Sequence, residues 1–201
     1  MKTDILGIVM GVFVFLGTAF SIGSVSWCET AKFTLAGPKA RKINFGLWKY
    51  NSYQFITNVN TGEIWQVETC NSYPDGTEKD SHWKAAQAFS IIAPIWGAFA
   101  FCPILAASKS PIMAKISGVL LLLACLFQGL TLLFLKSNLC NARTNPFFGS
   151  SILQSTGLVS LTTEEQCEVG RSAIVGIVAM CLWFLGGILA IVTPVEPVPD
   201  Y

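Results

Sequence analysis

Phe45-Gly46-Leu47-Trp48 sits at the centre of a polar, aromatic-rich stretch, Ser26 to Ala86, that separates two long apolar runs. Trp27 lies upstream of it, and a charged segment ending in His82-Trp83-Lys84 leads into the second run. Two further apolar runs follow. Crossing the hydrocarbon of a bilayer takes about 20 apolar residues at ~1.5 Å rise each. The four runs, roughly Ile5–Val25, Ala86–Ala107, Ile116–Leu135 and Ser172–Thr193, all meet that length. None contains an internal Asp, Glu, Lys or Arg, and Lys115 stands only at the edge of the third. A charge at mid-bilayer costs about 2.5 kcal/mol or more, so their absence is what spanning requires.

The rest of the composition agrees. Of 201 residues, 52% are hydrophobic and 12% charged, which excludes a disordered chain. A formal net charge of +1 gives no concentrated basic surface for nucleic acid. The first run competes with a cleavable signal peptide, since Lys2 precedes it and small residues occupy Ser21–Ser26. It is longer than a usual signal core, and Asp4 spoils the basic leader. Gly7 and Gly11 form a small-xxx-small pair suited to close packing in lipid, so a retained span is expected.

The seven cysteines divide by position. Cys102, Cys125 and Cys181 fall within spans, where they read as small packing residues. Cys28 and Cys70 fall in the first large loop (26–85), Cys140 and Cys167 in the second (136–171). With four spans these loops share a side, and an even number of loop cysteines implies two disulfides in an oxidising compartment. Pairing within each loop is the simplest of three connectivities, and the spacing does not choose among them. Lys2, Lys109 and Lys115 are the inner positives, against ten other Lys and Arg in the outer loops. The positive-inside rule is carried by short loops, and a long one translocates largely regardless of charge. The cysteines therefore orient the chain, with both termini cytoplasmic, in the plasma membrane or an endomembrane.

Within the first loop the pattern turns to period two. Ala31, Phe33 and Leu35 alternate with polar residues, Gly37-Pro38 breaks the chain, and Ile43, Phe45 and Leu47 resume the alternation. Stretches Tyr53–Thr57 and Ile64–Thr69 flank a turn at Asn58–Gly62. Together they predict a small antiparallel sheet built from the first extracellular loop. Asp80 or Ser81 is placed to cap a helix running straight into the second span, which contains Pro94 and Pro103. Gln128, strongly polar within the third span, is expected to bond to another helix or to face a hydrated gap. In the second loop, Asn145-Pro146-Phe147-Phe148-Gly149 offers aromatics beside a turn. Thr162-Thr163-Glu164-Glu165 reads as a helix start leading into the fourth span. The tail Pro194–Tyr201, with three prolines, reads as extended.

Chemistry is sparse. His82 is the single histidine, there is no Cys-x-x-Cys pair or phosphate-binding loop, and no carboxylates pair within the spans. No enzyme, cofactor or metal is expected. The first loop does segregate charge: Lys32, Lys39, Arg41, Lys42 and Lys49 precede Glu63, Glu68, Asp75, Glu78 and Asp80. Of these, Lys39, Arg41, Lys42, Glu63, Glu68 and Asp75 are candidates for selecting ions or partners electrostatically. The simpler reading is that opposite charges decorate a solvated sheet.

Four spans, a large first outer loop, Trp27 and, nineteen positions on, Gly46-Leu47-Trp48 resemble the claudin and peripheral-myelin-protein superfamily. Lys84-Ala85-Ala86-Gln87-Ala88-Phe89 is similar to the run with which claudins enter their second span, with Gln87 where arginine is usual. The likeness covers the first half of the chain, and the second half matches only in hydropathy and loop size. Claudins place a cysteine shortly after the Gly-Leu-Trp tryptophan, and Asn51 stands there in this chain. On that likeness Cys28 substitutes as the partner of Cys70, while Cys140 and Cys167 are additional. Tetraspanins fit worse, because their larger loop is the second and carries Cys-Cys-Gly.

The resemblance implies that Trp27, Leu47 and Trp48 anchor the outer sheet at the membrane interface. It further implies one claudin-like domain over residues 1–201, a four-transmembrane-helix bundle that is mainly α with its small sheet. The expected function is contact with membrane proteins or between cells, as at a cell junction, or service as an auxiliary subunit of a channel or receptor. The expected partners are the lipid bilayer and either another copy or another membrane protein. The alternative is an oligomeric or paracellular ion pore lined by first-loop charges, and a membrane enzyme is the third reading.

Overall fold

The residues from Lys2 to Ser26 form the first helix, α1, followed by α2 (Ser81–Ala107), α3 (Pro111–Leu130) and α4 (Arg171–Val192). All four are long and apolar enough to cross a membrane, which makes this an integral membrane protein. The computed structural model describes residues 2–35, 41–57, 64–73, 75, 77, 79–107, 110–140 and 167–192. α2 runs unbroken through Pro94 and Pro103. α3 starts where Ser110 is extended (φ −146°, ψ 123°) and Pro111 takes the first helical position, where its missing N–H costs nothing. A 3₁₀ segment, Thr131–Lys136, continues α3.

Contacts group these elements into two compact units. The first comprises Met1–Ser24, Ala85–Leu132 and Ile174–Tyr201 and is the helix bundle. Each helix turns a stripe spaced by three and four residues inward. On α1 it is Met10, Val14, Gly17, Ser21 and Ser24; on α2 it is Ala86, Ser90, Ala93, Gly97, Ala100 and Ile104. α3 contributes Ala114, Ser117, Leu121, Ala124 and Gln128, and α4 contributes Gly176, Ala179, Trp183, Gly186 and Ala190. Small residues dominate because lipid tails are as apolar as leucine, so helices associate through close packing and hydrogen bonds.

Trp183 is the large exception, fully buried with its indole over Gly17 of α1 and Gly97 of α2. α3 and α4 approach closely at Gly118 and Gly187, where a Cβ on Gly118 would stand 2.9 Å from the Gly187 carbonyl oxygen. Gln128 does bond across helices, accepting from the Ser21 hydroxyl at 2.7 Å. Ser117 donates to the Ala100 carbonyl at 3.0 Å. Ile8, Phe15, Phe99, Leu105, Ile112 and Val192 point outward, an apolar belt that suits lipid.

The second unit, Val25–Lys84 with Leu133–Ala173, holds the sheet. Four strands come from the first loop: β1 (Ala31–Leu35), β2 (Arg41–Phe45), β3 (Lys49–Thr57) and β4 (Ile64–Ser72). A fifth, β5 (Glu168–Val169), comes from the second loop, and the antiparallel order is β4-β3-β2-β1-β5. The expected sheet of the first loop is therefore present and gains a strand. Val169, Ala31, Phe45 and Tyr50 line up across four strands, and buried Ala31 and Phe45 mark the packed face.

Two expectations are corrected. Leu47 does not continue β2, because Gly46–Trp48 turns the chain into β3 and the Gly46 N–H donates to the Lys49 carbonyl at 2.8 Å. The segment entering the fourth span is not one helix from Thr162. β5 intervenes, the Gly170 N–H donates to the Thr30 carbonyl at 2.9 Å, and α4 begins only at Arg171. Thr162–Glu165 themselves lie outside the described residues, as do the Asn58–Gly62 turn, Asn145–Gly149 and the tail from Pro194.

Candidate functional site

The Gly46-Leu47-Trp48 turn is held by two aromatic side chains from further along the chain. The Tyr73 hydroxyl donates to the Gly46 carbonyl at 2.7 Å, and the Trp83 indole Nε1–H donates to the Leu47 carbonyl at 2.9 Å. Both carbonyls thus escape the penalty of burial without a partner, about 1–3 kcal/mol each. Gly46 is required by crowding: a Cβ there would stand 2.6 Å from the Trp27 carbonyl oxygen and 2.9 Å from the Cys28 Cα. Leu47 is 4% exposed, while Trp27 (50%) and Trp48 (37%) present much of their surface.

Trp83 is the hub beneath the turn. Its ring meets Tyr73 edge-on at 4.8 Å and Phe134 edge-on at 5.5 Å, the T-shaped geometry favoured by ring quadrupoles. Tyr73 also lies 5.4 Å from Tyr50 of β3. The Lys79 ammonium sits over both rings, 5.9 Å from Tyr73 and 5.7 Å from Trp83. Burial pushes the Tyr73 phenol well above its ordinary pKa, and neighbouring Tyr50 raises it further.

Asp80 fixes this hub at the start of α2. Its Oδ1 accepts from the Trp83 N–H at 3.0 Å, the expected N-cap, and its Oδ2 accepts from the Asn138 N–H at 2.9 Å. His82 lies 3.7 Å from the same carboxylate. One acidic side chain thereby joins the helix start to the turn that ends in Cys140.

The far edge of the sheet carries a second cluster. Thr30 and Ser172 share a buried hydroxyl contact of 2.8 Å, and the Ser172 N–H donates to the Glu29 carbonyl at 3.1 Å. The Glu29 carboxylate accepts from Asn44 Nδ2 at 3.3 Å and lies 3.6 Å from Arg171 Nε. Gly170 packs against the Glu29 and Thr30 backbone so tightly that no Cβ fits. Disulfides Cys28–Cys70 and Cys140–Cys167 complete the unit, with Cα separations of 6.0 and 5.1 Å.

The structure brings Trp27, Cys28, Gly46, Leu47 and Trp48 together, and joins Cys70 to them through its disulfide. Of the candidate charges, only Glu68 and Asp75 have described side chains. Glu68 is exposed on β4 and accepts from Asn51 Nδ2 at 3.1 Å, and Asp75 is exposed. Arg41 and Lys42 are backbone positions on β2, whereas Lys39 and Glu63 lie outside the described residues. Among the described residues no three His, Cys, Asp or Glu converge as for a metal ion.

Sequence reasoning missed Tyr73 as a carbonyl donor and Trp83 as the hub. A signal existed: Trp83 falls one helical turn before buried Ala86, on the inward stripe of α2. Set against known proteins, the chain matches no family model and no curated protein by sequence.

Proposed function

We propose that this is a claudin-like four-span membrane protein that acts by presenting its disulfide-stapled sheet to other membrane proteins. The contact is lateral or between cells, made directly or as an auxiliary subunit of a channel or receptor. The observation that carries this reading is the contrast around the central turn. Gly46 and Leu47 are locked from beneath by Tyr73 and Trp83, while Trp27 and Trp48 beside them keep part of their ring surface exposed. Rigid aromatics with an exposed face suit recognition, because little side-chain freedom is lost on binding. In the proposed orientation both termini are cytoplasmic and the cysteine-bearing segments lie outside or in a lumen, where disulfides persist.

The test is a photo-crosslinking amino acid at position 48 in the full chain, activated in native membranes. A discrete adduct with a membrane protein, or with a second copy, is expected. Adducts with lipid alone would overturn the contact reading and leave Trp48 as an interfacial anchor.

A further inference from the structure

The two disulfides differ in cover. Cys140 is 3% exposed, in the turn that Asp80 holds to the start of α2, and its partner Cys167 is half-buried. Cys28 is also buried, but its partner Cys70 is exposed on β4, which has β3 on one side and, among the described residues, no strand on the other. Exchange requires a thiolate to reach one sulfur, and exposed disulfides are the labile ones.

We propose that Cys28–Cys70 is a redox-sensitive bond, opened by dithiols in the folded protein while Cys140–Cys167 stays closed. One thiolate of the dithiol attacks Cys70 Sγ. The sulfur–sulfur bond breaks, and its electron pair leaves on Cys28 Sγ, which takes up a proton. The second thiol of the reductant then attacks the mixed disulfide and releases Cys70, which is protonated in turn. Two electrons and two protons pass to the protein, and the dithiol becomes a disulfide.

The fold is built to survive this step. β4 remains paired with β3 from Ile64 to Ser72, and Tyr73 still bonds to the Gly46 carbonyl. What is lost is the covalent tie between that outer strand and the backbone at 27–28, which packs against Gly46 and bears exposed Trp27. Reduction therefore loosens the edge of the sheet beside the partly exposed Trp27 and leaves the β1–β5 side stitched. This chemistry is independent of what the sheet contacts.

The experiment uses the full chain in lipid nanodiscs, with free thiols blocked first. Dithiothreitol is then raised stepwise, and new thiols are tagged and located by peptide mapping. Cys28 and Cys70 should be tagged at a reductant concentration about ten-fold below that needed for Cys140 and Cys167. Circular dichroism should hold steady across that window, and hydrogen exchange should rise over 64–72 but not over 31–32 or 168–169. Opening of both bonds together, of Cys140–Cys167 first, or of Cys28–Cys70 only as the helical signal collapses would overturn the proposal.

Discussion

Asn51 of β3 and Cys70 of β4 stand directly opposite each other, although Cys70 is bonded to Cys28. Asn51 is also where the claudin resemblance would put a cysteine. Opposed residues of an antiparallel pair have Cα atoms about 4.5–5.5 Å apart, inside the range a disulfide spans. Cys28→Ala alone should free the Cys70 thiol and cost about 2–4 kcal/mol of stability. Adding Asn51→Cys should restore a bond, now between position 51 and Cys70, and recover much of that loss. Non-reducing peptide mapping reads the bond, and thermal unfolding in detergent reads the recovery. Failure of position 51 to pair under oxidising conditions would contradict the β3–β4 register.

Trp83→Phe keeps an aromatic ring beneath the turn but removes the donor to the Leu47 carbonyl. It should destabilise the chain by about 1–3 kcal/mol, and Tyr73→Phe by about 1 kcal/mol. Alkaline pH separates the two. Tyr73 has its folded pKa raised above the ordinary 10.0, so folding favours the protonated phenol. Its contribution is fully present below pH 10 and is lost as pH climbs from there toward the higher folded value. Wild-type stability should fall more steeply above pH 10 than that of Tyr73→Phe. Parallel curves would show that the phenol is not buried as described.

Much of this architecture was legible because bilayer and sheet impose strong periodicities. Four uncharged runs and a period-two stretch such as Ala31–Leu35 need no tertiary information to be read. What escaped was long-range. β5 is only Glu168–Val169, too short to show alternation, and it exists because Ala31 and Lys32 offer an open edge. Tyr73 and Trp83 are 27 and 36 residues beyond the carbonyls they satisfy, and nothing local marks an aromatic as a hydrogen-bond donor. The cysteine pairing lay between these cases. Position put the four cysteines on one side, but only folding chose the connectivity.

The contact reading and the pore reading part over the basic positions of the first loop. Lys39→Glu, Arg41→Glu and Lys42→Glu together invert the local charge, and a loop lining an ion path would then exchange its ion preference. Under the contact reading, cells expressing the triple variant should show the same ion permeability and the same cation-to-anion selectivity as wild type. A reversed selectivity would favour the pore.

Glycines of α1 and α2 give a contrast internal to the bundle. A Cβ on Gly17 would lie 2.7 Å from the Trp183 ring, and one on Gly97 would run into the same indole with Thr18 Oγ1 at 3.0 Å. Trp183 is fully buried and cannot swing aside without displacing neighbours, so overpacking should cost about 1–3 kcal/mol. Gly7 and Gly11 have nothing within 4 Å of an added Cβ, despite the small-xxx-small pattern that marked them for close packing. Gly17→Ala and Gly97→Ala should therefore lower the melting temperature of the solubilised chain and shift Trp fluorescence. Gly7→Ala and Gly11→Ala should leave it unchanged or raise it slightly, since alanine is the better helix former. Equal losses at all four positions would mean that a further segment, beyond the described residues, packs on the Gly7–Gly11 face.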